Sequence, residues 1–317
     1  MDEFAFDGYR QLQLRDFPNA SQAILLLERD VWWLKPFYLP FEKSYDGVGL
    51  LLYSRTNYWL APTFCFLYLL FIWWGPRYMA DKTPFKLQAP LKYWNLLLAV
   101  YSAWGASRVL PHMFVQLYKF GWNASLCSPP VFTYGRGAVG LWTGLFVYSK
   151  YFELIDTVFI VLRKRNLNFL HWYHHVTVLM YTWDAFASEQ PPGMFYCGMN
   201  YAVHSVMYFY YYLAATRSRP PRWGVVVTLM QIAQMIAGVL ITIVSLHNAF
   251  TKPFMQYSTA TIAMDPADMG TCFISKTNMV SAAAMYSTYF YLFAKFFYVR
   301  YIQKKGGASK KHLKKRE

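Results

Sequence analysis

Seven apolar runs, each near or above the length a helix needs to cross a bilayer, constrain this chain more than any other feature. They lie at about 57–75, 93–118, 138–161, 169–187, 194–215, 223–248 and 278–299. At 1.5 Å of rise per residue, about 20 residues span the hydrocarbon core. Inside lipid a backbone must satisfy its own hydrogen bonds, which at this length leaves the helix. The sequence therefore predicts an all-α, multi-pass membrane protein of about seven transmembrane helices. Composition agrees, with 56% hydrophobic and only 15% charged residues, against roughly 45–50% and 25% in soluble domains. Mean hydropathy is only +0.16, held down by 27 Tyr and 12 Trp, residues that suit bilayer interfaces. So apolar a chain cannot remain disordered. Its four cysteines, Cys65, Cys127, Cys197 and Cys272, form no CxxC, and three or four of them read as unpaired small hydrophobes inside apolar segments.

The net charge of +15 is uneven. Residues 1–56 sum to −2 and the remainder to +17. The bases sit in short clusters between apolar runs, the pattern of cytosolic loops and not of a nucleic-acid-binding face. With an odd number of spans, the loops at 76–91, 162–168 and 216–222 share a side with the tail 300–317. Together these carry 17 bases against 4 in the opposite loops. The basic side is expected to be cytosolic and the N-terminus luminal. The sequons Asn19-Ala20-Ser21 and Asn123-Ala124-Ser125 fall on the expected luminal side, and Lys314-Lys315 stand three and four from the end, as in a di-lysine signal for retrieval to the endoplasmic reticulum. The expected division is a luminal segment 1–56, a transmembrane domain 57–299 and a basic cytosolic tail 300–317. The first 30 residues lack a basic stretch followed by an apolar core, so no cleavable signal peptide is expected.

Ionisable groups within a span are costly and are functional candidates by default. The densest set is His171, His174 and His175, one helical face at the start of the fourth span. His174 is nine residues past Arg165, within roughly 14 Å of the cytosolic surface. Lys150, Glu153 and Asp156 (or Thr157) form a stripe on the third span. It reads either as a neutralised cluster that pins two helices or as a support that fixes an imidazole tautomer. Asn200, His204, Tyr208 and Tyr211 form another on the fifth. Thr228, Gln231 and Gln234 mark the sixth, and Arg108 and His112 the second. Singly, each suits a helix–helix hydrogen bond. Together they suit a polar chamber near the cytosolic side, closed by an apolar, aromatic far end.

Two chemistries use HxxHH in a membrane. A di-iron oxidase resembles a cluster of about eight histidines, and this chain has seven. His312 is in the tail and His247 at a luminal helix end, so two irons would be under-ligated, although three histidines suffice for one zinc. The other chemistry is nucleophilic or acid–base work by a metal-free imidazole on a thioester. A membrane lipid or proton transporter, relaying protons through buried histidines, is the non-catalytic alternative.

Four ordered motifs sharpen this: KxxExxDT at Lys150–Thr157, HxxHH at His171–His175, HxxMYxYY at His204–Tyr211 and TxxQxxQ at Thr228–Gln234. With them the chain, over about 55–300, resembles the ELO family of very-long-chain fatty acid elongases, the membrane 3-ketoacyl-CoA synthases. Trp172 within HxxHH looks like the subgroup handling saturated and monounsaturated chains. The resemblance implies seven helices, six enclosing a narrow acyl tunnel, and condensation of an acyl-CoA with malonyl-CoA to 3-oxoacyl-CoA, CoA and CO₂. It implies that His174 takes the acyl group, that His175, His171 and His204 orient it or move protons, and that no metal or other cofactor is required. Glu153 and Asp156 would support them, with Lys150 in the same motif. Asn200, Tyr208, Tyr211, Gln231 and Gln234 would line the chamber, and Arg108 and the cytosolic bases would either receive a malonyl carboxylate or CoA phosphates or serve as structural, snorkelling side chains. Other enzymes of the elongation cycle and a second copy of the chain are the expected protein partners. From His174 to Ala187 is roughly 20 Å of helix, so side chains near Trp183, Asp184 and the luminal end of the fifth span are expected to cap the tunnel and set product length.

Overall fold

The computed structural model describes residues 32–254 and 270–303. The sequon at Asn19 and the Lys314-Lys315 pair lie outside these residues. Every one of the seven apolar runs is helical. After a short 3₁₀ turn (Trp32–Phe37) come α1 (Pro40–Lys43), α2 (Val48–Thr56), α3 (Leu60–Tyr78), α4 (Gln88–Cys127), α5 (Gly137–Glu153), α6 (Ile155–Leu162), α7 (Phe169–Ala187), α8 (Gly193–Thr216), α9 (Gly224–Thr251) and α10 (Lys276–Phe297). Among the described residues there is no strand, only an isolated bridge between Phe254 and Cys272.

Among the described residues, α9 alone qualifies as a membrane span by length and composition; α2 and α3 together pass the same test as a pair bent by 64°. The remaining helices are interrupted by the polar and aromatic residues singled out above, so the fold is all-helical while the number of crossings stays an expectation. Local breaks have identifiable causes. The run 138–161 divides at Leu154 into α5 and α6. Helix α4 loses helical geometry at Gly121, whose φ of 70° is one that glycine adopts without strain. Asn168 caps α7, its side chain accepting from the Leu170 N–H at 3.2 Å, a cap worth about 1 kcal/mol.

Helix α8 lies along α4, and α9 along α10. Both contacts use a glycine. A Cβ on Gly105 would sit 2.5 Å from the Tyr201 ring, and one on Gly238 would sit 2.2 Å from the Tyr286 ring. Lipid tails are as apolar as the side chains they touch, so close packing and interhelical hydrogen bonds hold such bundles together. Tyr201 supplies both, donating to the Trp142 carbonyl at 2.9 Å and packing edge-on against Phe146.

Two expectations are corrected at the predicted luminal end. Cys127, at the end of α4, is joined to Cys272 by a disulfide, while Cys65 and Cys197 are free and buried. A partner 145 residues away leaves no local spacing signal. Arg108 faces α1 instead of a substrate. It donates to Glu42 at 3.2 and 3.3 Å and to the Phe37 carbonyl at 2.6 Å. Glu42 also accepts from Trp142 Nε1 at 2.7 Å and from the Leu39 N–H at 2.8 Å, and is wholly buried. The stretch before the first apolar run is thus docked into the bundle by a buried ion pair.

Candidate active site

A cavity of about 310 Å³ opens among α6, α7, α8, α9 and α10. Its wall contains Glu153, Asp156, His171, His174, His175, Asn200, His204, Tyr208, Tyr211, Gln231 and Gln234. Four motifs spread over some eighty residues of sequence therefore meet around one space. Lys150 stands just behind this wall, and Arg108 stands elsewhere. His112 is also elsewhere: its Nε2 pairs with the Thr133 carbonyl at 3.0 Å. Thr228 lies toward the other end of its motif, 3.5 Å from the Tyr301 hydroxyl.

The one-turn spacing of α7 places three imidazoles together, with ring centroids 4.4 Å apart for His171 and His175 and 5.6 Å for His174 and His175. Their surroundings differ. His171 Nε2 lies 2.9 Å from Thr157 Oγ1, which is 2.7 Å from the Tyr68 hydroxyl. His175 is buried, its ring 6.2 Å from that of Tyr68. His174 is half-buried on the cavity wall, and among the described residues its ring nitrogens make no hydrogen bond. The main chain of His174 is fixed from α10, where Tyr289 donates to its carbonyl at 3.2 Å and lies 2.5 Å from Thr177 Oγ1. A neutral imidazole whose ring nitrogens are unbonded has a lone pair available for attack.

The third-span motif serves two stations, because the turn at Leu154 separates its halves. Lys150, 2% exposed, donates to Glu153 Oε1 at 2.7 Å and to Asn200 Oδ1 at 3.1 Å. Asn200 Nδ2 lies 3.1 Å from His204 Nε2, and His204 Nδ1 is 4.0 Å from Glu153 Oε2. Past the turn, Asp156 accepts from Trp94 Nε1 at 2.6 Å and from the Tyr208 hydroxyl at 2.8 Å. The cluster is both neutralised and imidazole-directed. The imidazole it addresses is His204; at HxxHH the support is the hydroxyl of Thr157.

Sequence reasoning missed Tyr289, Phe293 and Phe296. They lie on α10, the latter two in the cavity wall, and in sequence they look like lipid-facing aromatics. It also placed Trp183 and Asp184 at the end of a tunnel, and neither lines this cavity. Trp183 is packed between Tyr148 and Tyr151, at centroid distances of 5.4 Å. Asp184 is held by Tyr58 and by Asn278 Nδ2, the latter at 2.6 Å.

A second cavity of about 380 Å³ shares Asp156, Ile160, His171, Tyr208 and Tyr211 with the first and adds Gln88, Arg163 and Arg165. Among the described residues, no group of three or more His, Cys, Asp or Glu is arranged to hold a metal ion.

Comparison with known proteins covers the same region. Residues 53–309 match the ELO, GNS1/SUR4, family. The chain is 40% identical over 278 residues to very long chain fatty acid elongase 6 of Drosophila melanogaster, covering 86% of this chain and 83% of that one. It is 37% identical over 272 residues to the Gallus gallus protein of the same name, covering 85% and 95%. The Homo sapiens protein of that name is 36% identical over 266 residues, covering 83% and 92%. With the HxxHH helix at the centre of its cavity and a match running through nearly all of its helices, this chain belongs to the ELO, GNS1/SUR4, family.

Proposed function

We propose that this chain is a fatty acid elongase that condenses a long-chain acyl-CoA with malonyl-CoA through an acyl-histidine formed at His174. The observation that carries this reading is the unbonded imidazole of His174 on the wall of a cavity ringed by the other histidines. In the first half-reaction a ring nitrogen of His174 bonds to the acyl carbon and the C–S bond breaks. The proton the ring sheds ends on the departing CoA sulfur, and His204 is the base that moves it. An acyl-imidazole splits one difficult step into two easier ones. In the second half-reaction malonyl-CoA loses CO₂, the resulting carbanion attacks the acyl carbon, and the released ring regains a proton from water. No cofactor enters this scheme. Arg163 and Arg165, on the second cavity, suit CoA phosphates, which guanidinium groups bind with paired hydrogen bonds.

The reading includes an endoplasmic reticulum membrane location with a luminal N-terminus. The Cys127–Cys272 disulfide supports that side, since both cysteines belong to the poorly basic end and disulfides persist in oxidising compartments. Association with other enzymes of the elongation cycle belongs to the same proposal.

The test uses purified protein in lipid nanodiscs with palmitoyl-CoA and labelled malonyl-CoA. Release of labelled CO₂ with a 3-oxoacyl product is expected. With palmitoyl-CoA alone, intact mass should rise by one acyl group, and His174→Ala should abolish that adduct. Absence of product in the unmodified protein overturns the proposal.

A further inference from the structure

Lys150 is one of the largest fully buried side chains among the described residues, yet it does not reach the cavity wall. What it touches fixes the orientation of groups that do. An ammonium is a donor only, so the Asn200 atom 3.1 Å away must be the acceptor of the amide, Oδ1. The other end of that amide, Nδ2, is a donor only, and it lies 3.1 Å from His204 Nε2. A neutral imidazole facing a donor presents its lone pair there and keeps its proton on the other nitrogen. That other nitrogen, Nδ1, is 4.0 Å from Glu153 Oε2, an oxygen with no hydrogen-bond partner among the described residues. Lys150 also bonds the opposite oxygen of the same carboxylate, at 2.7 Å, and Ser149 shares that oxygen at 3.2 Å.

We infer that Lys150 is a positioning residue: by holding the Asn200 amide in one orientation, it sets His204 as the tautomer protonated on Nδ1, with the lone pair of Nε2 directed at the amide N–H. If the amide flipped, its oxygen would face Nε2, the proton would move there, and the lone pair of Nδ1 would point at the Glu153 carboxylate. His204 would then carry its proton on the nitrogen that faces the amide. When His204 takes a proton at Nε2, that nitrogen gives up its bond from the Asn200 amide and the ring becomes an imidazolium whose Nδ1–H faces Glu153; Glu153 stays a carboxylate and Lys150 stays an ammonium. The inference deepens the condensation proposal and rests on it for the purpose that the proton transfer serves. The tautomer itself is independent of that proposal.

The experiment keeps the two apart. Full-length protein carrying ring-¹⁵N histidine is studied in nanodiscs by solid-state NMR, with the His204 signals assigned by difference from His204→Gln. Wild type is expected to show Nδ1 protonated and Nε2 bare. Lys150→Met is expected to show the reverse or a mixture, with kcat reduced at least tenfold and KM for palmitoyl-CoA within about twofold. Lys150→Arg, which restores a donor, is expected to recover the wild-type tautomer and most of kcat. Because Lys150→Met leaves Glu153 without its cation, Lys150→Met/Glu153→Gln provides a neutral version that removes the same donor. An Nε2-protonated ring in wild type, or an unchanged Nδ1–H ring in both donor-free variants, overturns the inference even if condensation is intact. A wild-type protein with the expected tautomer but no 3-oxoacyl product overturns the condensation proposal instead.

Discussion

Replacing Glu42 by alanine removes the only carboxylate that Arg108 is seen to engage, and the cost can be worked from the bonds lost. Arg108 loses contacts of 3.2 and 3.3 Å, while Trp142 Nε1 and the Leu39 N–H lose acceptors at 2.7 and 2.8 Å. Breaking a buried ion pair from one side strands the other charge, at about 3–5 kcal/mol. At about 2 °C per kcal/mol for a large domain, thermal unfolding should fall by roughly 6 °C or more. Replacing both partners, Glu42→Leu with Arg108→Met, strands no charge and should regain most of that loss. Fluorescence-detected size-exclusion after a temperature series measures both variants. The double variant should also keep KM for malonyl-CoA within about twofold, since Arg108 is engaged by α1 and lies outside the cavity wall. A double variant as heat-stable as wild type but with that KM raised about tenfold, a loss of about 1.4 kcal/mol in binding, would refute this account and return Arg108 to the substrate.

Burial by itself would raise the pKa of Glu42, but the bonds from Arg108, Leu39 and Trp142 outweigh it and hold the group below its ordinary 4.5. Its stabilisation is therefore full above about pH 4.5 and is lost as pH falls through the lower folded value; acid melting curves of wild type and Glu42→Gln should converge in that range. Gly105→Leu drives a side chain into the Tyr201 ring and should leave little monodisperse protein, whereas Ser149→Ala, away from that contact, should purify normally. Thr157→Val removes the hydroxyl that His171 Nε2 meets at 2.9 Å and should lower kcat about tenfold, or 1.4 kcal/mol, with thermal stability reduced far less than in Glu42→Ala. Cys127→Ser/Cys272→Ser should cost about 2–5 kcal/mol of stability, measured as a lower melting temperature, while turnover of the folded fraction stays near wild type.

What the sequence made legible was the part written locally. Helical spacing grouped His171, His174 and His175, and ordered motifs named nearly every polar residue on the cavity wall, because polar atoms among apolar runs stand out. The divided role of KxxExxDT was not legible, since the turn at Leu154 carries no glycine or proline to announce it. Nor was the union of Arg108 with Glu42, or of Cys127 with Cys272. Such contacts pair elements remote along the chain, and periodicity has no term for them. Arg108 looked available for a substrate only because its partner lay in a stretch with no motif. Tyr289 was hidden for the opposite reason: the second half of α10 is dense in aromatics, so the residue that bonds the His174 carbonyl has the same appearance as its neighbours.

The position of α10 in the chain carries a consequence for biogenesis. The wall formed by Phe293 and Phe296, and the hydroxyl that steadies the His174 carbonyl, come from α10, which is synthesised after every other helix of the cavity. Until that helix packs against α7, the histidine turn is an open cleft whose backbone lacks the Tyr289 bond. The cavity wall is therefore closed only when an element more than a hundred residues further along the chain has docked.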